Sequence, residues 1–65
     1  MNYKVFRKNI IHKTAKIHNS CILQGNGIYV GKNVIIEPNV IINEKTKIME
    51  NSIIRSGSII GGNQL

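Results

Sequence analysis

The sequence is short of acid. Three carboxylate side chains, Glu37, Glu44 and Glu50, stand against nine lysines and arginines, a net charge of +6 in 65 residues. Such an excess favours anionic partners. Aromatic residues are equally scarce, Tyr3, Phe6 and Tyr29 with no tryptophan. The basic residues near the N-terminus, Lys4, Arg7, Lys8, Lys13 and Lys16, therefore lack a stacking platform, and nucleic acid is not expected as a partner. Cys21 is the single cysteine, which excludes an internal disulfide. Two histidines are too few for a three-histidine metal centre, and no metal is expected. No apolar run approaches the roughly 18 residues of a membrane span. Met1 to Ile10 has no apolar core of the kind a secretory leader carries. A reducing, cytoplasmic setting is the expectation.

What the sequence does have is a period of six. From Val30 onward the units begin at Val30, Ile36, Ile42, Ile48, Ile54 and Ile60, apolar every time. The fourth position of each unit reads Asn33, Asn39, Lys45, Asn51, Gly57 and Asn63, and the fifth Val34, Val40, Thr46, Ser52, Ser58 and Gln64. Upstream, Ile11, Ile17 and Leu23 open three further units, and Val5 opens a weaker one. Tyr29 is one residue too many before Val30. Such a period fits neither a helix nor an ordinary two-period strand, and internal repetition decides the fold before anything else does.

Strand side chains alternate between faces, so the first position of a unit points inward while its two neighbours point outward. A turn must follow before the next strand. Three strands and three turns close a triangular coil, and coils stack at strand spacing, roughly 4.8 Å. The expected coils are 11–29, 30–47 and 48–65, after a lead-in strand over 1–10. The inward columns are then Ile11, Val30, Ile48; Ile17, Ile36, Ile54; and Leu23, Ile42, Ile60. The fourth position should be a corner in left-handed backbone, where glycine and asparagine are least strained. In the first coil that position falls on Thr14, Ser20 and Asn26. Gly25 and Gly27, around the extra residue, read as a widened corner, and Gly61-Gly62 as a flexible one. Three thin coils bury little against the entropy of ordering their backbone, which points to a longer stack or to an oligomer.

The units Val30-Gly-Lys-Asn-Val and Ile36-Glu-Pro-Asn-Val resemble the hexapeptide repeat of left-handed parallel β-helix transferases. Ile11-His-Lys-Thr-Ala-Lys-Ile-His resembles the opening coil of acyltransferases acting on UDP-N-acetylglucosamine. The stretch Ile48 to Ile60 is also similar to the β-helical tails of sugar-nucleotide pyrophosphorylases. The resemblance implies an all-β, left-handed parallel β-helix of about three coils; the left hand comes from the resemblance alone, since the usual crossover rule favours the opposite one. It implies a parent enzyme longer than this chain, which moves an acyl group from acetyl-CoA or acyl carrier protein to a sugar nucleotide. A histidine would act as general base. Alternatives are a pyrophosphorylase module and a non-catalytic trimerisation module. The 65-residue chain alone is not expected to be active.

Candidate site residues are few. His12 and His18 hold the second position of their units, face outward on two different sides, and read as solvated surface residues; no catalytic or cofactor-binding residue is assigned. Cys21, at a small inward corner, reads as core. Glu37 and Glu44 fall on different sides, and Glu50 should pair with Arg55 at the surface. Of the three outward columns, Lys16, Ile35, Ile53 and Ile10, Tyr29, Lys47 are mixed. The third, Ile22, Ile41, Ile59, is an apolar stripe, and such stripes mark interfaces. It is the expected contact of a homotrimer, the oligomer that the family resemblance implies.

Overall fold

A computed structural model describes residues 3–6 and 9–61. Among these residues it is built of strands without a helix: β1 (Tyr3–Phe6), β2 (Asn9–His12), β3 (Lys16–Ile17), β4 (Ile22–Leu23), β5 (Tyr29–Val30), β6 (Ile35–Ile36), β7 (Ile41–Ile42), β8 (Lys47–Ile48), β9 (Ile53–Ile54) and β10 (Ile59–Ile60). Among the described residues no helix is long and apolar enough to cross a membrane. The strands form three sheets, ordered β1-β2-β5-β8, β3-β6-β9 and β4-β7-β10. Within each sheet the coil strands run parallel, two residues paired at a time. The three sheets are the sides of the prism.

The register is the one that counting gives. Ile11 pairs with Val30 and Val30 with Ile48. Ile17, Ile36 and Ile54 align, as do Leu23, Ile42 and Ile60. Backbone N–H groups of one coil donate to carbonyls of the next, as in Lys16 N–H to Val34 C=O at 2.8 Å and Glu37 N–H to Ile54 C=O at 2.9 Å. Every such bond joins residues a coil apart, so no coil is satisfied by itself.

Burial peaks in the middle coil. Val30, Val34, Ile36, Val40 and Ile42 are buried, with Ile28 and Ile48 beside them. Ile11, Ile17, Leu23 and Ile54 sit at the two ends of their columns and are only partly covered. The fifth positions point inward at the corners, where Cys21 packs against the core and donates its thiol to the Glu37 carbonyl at 3.0 Å. Hydroxyls at the same position close their own turns. Thr46, Ser52 and Ser58 donate to the carbonyls of Asn43, Met49 and Arg55, three residues back.

Left-handed corners occur at Asn33 (φ 58°), Asn39 (64°), Lys45 (59°), Asn51 (65°) and Gly57 (79°). The first coil departs from this expectation. Thr14, Ser20 and Asn26 have no positive φ, and the left-handed residues of the third corner are Gly25 and Gly27. At the other two corners the turn is closed by Ala15 N–H to His12 C=O and Cys21 N–H to His18 C=O, both at 3.0 Å. A β-branched threonine resists left-handed backbone. Thr14 and Ser20 serve instead as acceptors for the coil above: Asn33 N–H donates to the Thr14 hydroxyl (2.8 Å) and Asn39 N–H to that of Ser20 (2.9 Å). Asn63 and Gly62 lie outside the described residues. Asn39→Val should cost about 1–2 kcal/mol from the left-handed penalty alone, while Asn39→Gly stays near wild type. Thermal melts of both variants check this, and equal melting temperatures would remove backbone strain as the reason for asparagine there.

The extra residue before Val30 widens the third corner. Ile28 takes the inward corner position that Thr46 takes one coil later, as Ile10 N–H to Ile28 C=O and Tyr29 N–H to Thr46 C=O show. The weaker unit beginning at Val5 is not a coil unit. β1 turns back and pairs antiparallel with β2, Tyr3 opposite His12 and Phe6 opposite Asn9. It therefore covers the N-terminal edge of one side of the prism and leaves the other two sides without such a strand among the described residues.

Candidate functional site

Because inward residues are flanked by outward ones, each side of the prism presents two outward columns. On the β3-β6-β9 side they are Lys16, Ile35, Ile53 and His18, Glu37, Arg55. On the β4-β7-β10 side they are Ile22, Ile41, Ile59 and Gln24, Asn43, Gly61, which carry no charge. On the remaining side Tyr29 lies between Ile10 and Lys47, and the Lys47 ammonium stands 5.8 Å from the Tyr29 ring centre. The stripe is thus real as a column. Ile22 (50%) and Ile59 (67%) are the more exposed ends, and Ile41 is half-buried between them.

The β3-β6-β9 side holds an open depression of about 560 Å³ lined by Ala15, Lys16, Ile17, His18, Ile35, Ile36, Glu37 and Pro38. The geometry of His18 is set from below. Ser20 N–H donates to its Nδ1 at 3.1 Å, and the Ser20 hydroxyl lies 2.8 Å from the same nitrogen. A backbone N–H can only donate, so Nδ1 is an acceptor and the ring proton of the neutral imidazole sits on Nε2. The Ser20 hydroxyl also accepts from Asn39 N–H, which leaves its own hydrogen for Nδ1. His12 repeats the arrangement, with Thr14 N–H at 3.1 Å and the Thr14 hydroxyl at 2.8 Å. The two histidines lie in β2 and next to β3, on different sides of the prism, as expected. His12 is not the solvated residue its spacing predicts, however. It is 8% exposed, because its strand is the one flanked by β1.

Arg55 does not pair with Glu50. Its Nη1 reaches Glu37 Oε2 at 3.3 Å. Glu37 Oε1 accepts from Ser56 N–H at 3.0 Å and from the Ser56 hydroxyl at 3.4 Å. The Arg55 side chain is 79% exposed, so the ion pair itself adds little stability. The two backbone and hydroxyl donors fix the carboxylate more firmly than the guanidinium does.

One polar residue escaped the sequence reading. Asn9 is wholly buried; its Oδ1 accepts from Ile28 N–H at 2.9 Å and its Nδ2 donates to Gly25 C=O at 3.4 Å. It ties the strand entering the first coil to the widened corner. The one signal that could have found it is its place, the fifth and therefore inward position of the weak unit that opens at Val5.

Residues 27–62 match the family described as bacterial transferase hexapeptide (six repeats). The chain belongs to this family. The match spans more than half of the 65 residues and starts at the widened corner, so it covers the middle coil and most of the last coil of the hexapeptide-repeat protein. The left-handed parallel β-helix follows from that membership together with the three parallel sheets. Neither a curated protein nor a solved structure matches the chain. In this hexapeptide-repeat prism the exposed His18 presents Nε2–H rather than a free lone pair at that nitrogen, so it is arranged as a hydrogen-bond donor toward the outside.

Proposed function

We propose that the chain is an acyltransferase-like domain, built to work beside copies of itself, that takes part in moving an acyl group from acetyl-CoA or an acyl carrier protein thioester to a sugar nucleotide. The observation that supports this most is the match to the transferase hexapeptide family over residues 27–62. In such a transfer the acceptor's hydroxyl or amine attacks the thioester carbonyl, the thiolate leaves, and a base takes the acceptor's proton. The depression fits a thioester donor in part. Its apolar surface and Lys16 suit a chain that carries an anionic group, but neither Lys16 nor an Nε2-protonated His18 is a base. No proton-transfer step is therefore assigned to these residues. Calorimetric titration of the full chain with acetyl-CoA tests the reading, with saturable heat as the expected result. No heat at millimolar donor would favour the assembly module.

The assembly proposed is a homotrimer of side-by-side prisms, joined through Ile22, Ile41 and Ile59. Proteins with this repeat commonly trimerise. The stripe and the column beside it, Gln24, Asn43 and Gly61, offer a neighbour an uncharged surface with no ion to desolvate. Ile41→Lys puts a charge at the centre of the stripe. Sedimentation equilibrium should give three chain masses for the wild type and a lower mass for Ile41→Lys. A wild-type monomer at high concentration with a stable β-rich spectrum overturns the trimer. A variant that associates like the wild type moves the contact off this stripe.

A further inference from the structure

We infer that the depression over β3 and β6 is a binding site for small amphiphilic anions, an alkyl chain carrying a phosphate or carboxylate, held by Lys16 and the Nε2–H of His18 beside the apolar surface of Ile35 and Pro38. Strand alternation places Lys16 and His18 on the same outer side of Ile17, about 6.6 Å apart along the strand. The pair brackets one end of the depression that both line. Among the described residues, the Lys16 side chain has no ion-pair or hydrogen-bond partner, and the His18 ring is bonded through Nδ1 alone. The chain of bonds from Asn39 N–H through the Ser20 hydroxyl to Nδ1 holds the ring in place and keeps its proton on Nε2. His18 is thus a donor oriented by the corner beneath it, whichever ligand arrives.

An acid in the same depression would ordinarily repel such a ligand. Glu37 lines it, yet its carboxylate is engaged on the far side by Arg55, Ser56 N–H and the Ser56 hydroxyl. The other two acids, Glu44 and Glu50, belong to the turns of two different corners, and every side chain before Glu37 is neutral or basic. The local potential at Lys16 is therefore positive. The apolar surface completes the site. Ile35 is 42% exposed and Pro38, which has no N–H to offer water, closes the rim. A purely hydrophilic anion would leave that surface uncovered, and a neutral alkane would leave two donors uncovered. The uncharged Ile41 side of the same prism offers amide groups but no ammonium or imidazole among its outward columns, so the two sides are suited to different partners.

The inference rests on the geometry of this side and not on acyl transfer. Nuclear magnetic resonance titration of the full labelled chain tests it, with butyl phosphate as probe and butyrate, inorganic phosphate and 1-butanol as comparators. Butyl phosphate should shift residues 15–18 and 35–38 saturably and bind more tightly than inorganic phosphate or 1-butanol. Lys16→Gln should weaken it roughly fivefold, Lys16→Arg should restore it, and Lys32→Gln, with the same loss of charge, should leave it within about twofold. Tighter binding of butyl phosphate than butyrate assigns the phosphate, and the reverse assigns the carboxylate; either upholds the anion site. Equal weakening by Lys32→Gln, or equal binding of 1-butanol, overturns it. So does a long-range proton–nitrogen spectrum that puts the neutral His18 proton on Nδ1. Butyl phosphate binding without saturable acetyl-CoA heat would sink the transferase reading and keep this site, while acetyl-CoA heat without butyl phosphate binding would do the opposite.

Discussion

Ile36→Asn should unfold the chain at room temperature. Ile36 is 2% exposed, in the middle coil, stacked between Ile17 and Ile54 in its column and packed in one cluster with Val34 and Val40. Removing a buried aliphatic side chain of this size loses about 1.5–3 kcal/mol of burial. The amide that replaces it brings donors and an acceptor into that aliphatic cluster, at about 1–3 kcal/mol more on mutational scales. Domains hold roughly 0.05–0.15 kcal/mol of net stability per residue, so a chain of this length has about 3–10 kcal/mol to lose. The middle coil carries the hydrogen bonds of both its neighbours, so its loss is not local. Far-ultraviolet circular dichroism should show the β signal gone, whereas Ile36→Val should cost only about 0.5–1.5 kcal/mol and melt cooperatively. A melting transition unchanged in Ile36→Asn would take Ile36 out of the inward column.

Asn9→Leu is the second large effect, and it separates hydrogen bonding from shape. Leucine has the same branched outline as asparagine and fills the same space. It cannot accept from Ile28 N–H or donate to Gly25 C=O. Ile28 is 1% exposed, so its N–H is left without water. An orphaned buried donor costs about 1–3 kcal/mol. The added apolar burial offsets part of this, and a fall in melting temperature of about 5–10 °C is expected for a domain of this size. The distinctive readout is local: hydrogen exchange at the Ile28 amide should accelerate more than at Val34 or Val40. Asn9→Asp keeps the acceptor and should protect Ile28 better than Asn9→Leu does. Full protection of Ile28 in Asn9→Leu would mean that the widened corner holds itself.

The columns were legible because the repeat turns a three-dimensional question into counting. With units of six and one insertion, the residue above any position is 18 or 19 places on, and Ile22, Ile41 and Ile59 fall in line before any coordinate is known. The corners were legible for a related reason, since left-handed backbone selects asparagine and glycine, and Asn33, Asn39, Asn51 and Gly57 adopt it. The same logic over-reached at Thr14 and Ser20. These stand in the fourth position but belong to a coil whose histidines close the corner in another way. That exchange of a backbone solution for a side-chain one is written in the His-x-Thr and His-x-Ser spacing, at two residues' separation, and could have been read there.

The sequence by itself determined the period, the inward and outward columns, the strand register and the left-handed corners of the regular coils. All of these depend on residue type and on distance along the chain. Only the tertiary structure decided which of several possible neighbours each polar group meets. Arg55 is five residues from Glu50 and 18 from Glu37, yet it pairs with Glu37. Coils stack roughly 4.8 Å apart, and five residues along the chain lead around a corner to another side. His12 is buried and His18 exposed at equivalent positions because an antiparallel strand flanks one of them. Asn9 reaches the widened corner because the chain returns there 16 to 19 residues later. A repeat makes positions equivalent along the sequence, but a stack of few coils has ends, insertions and neighbours that make them inequivalent in space.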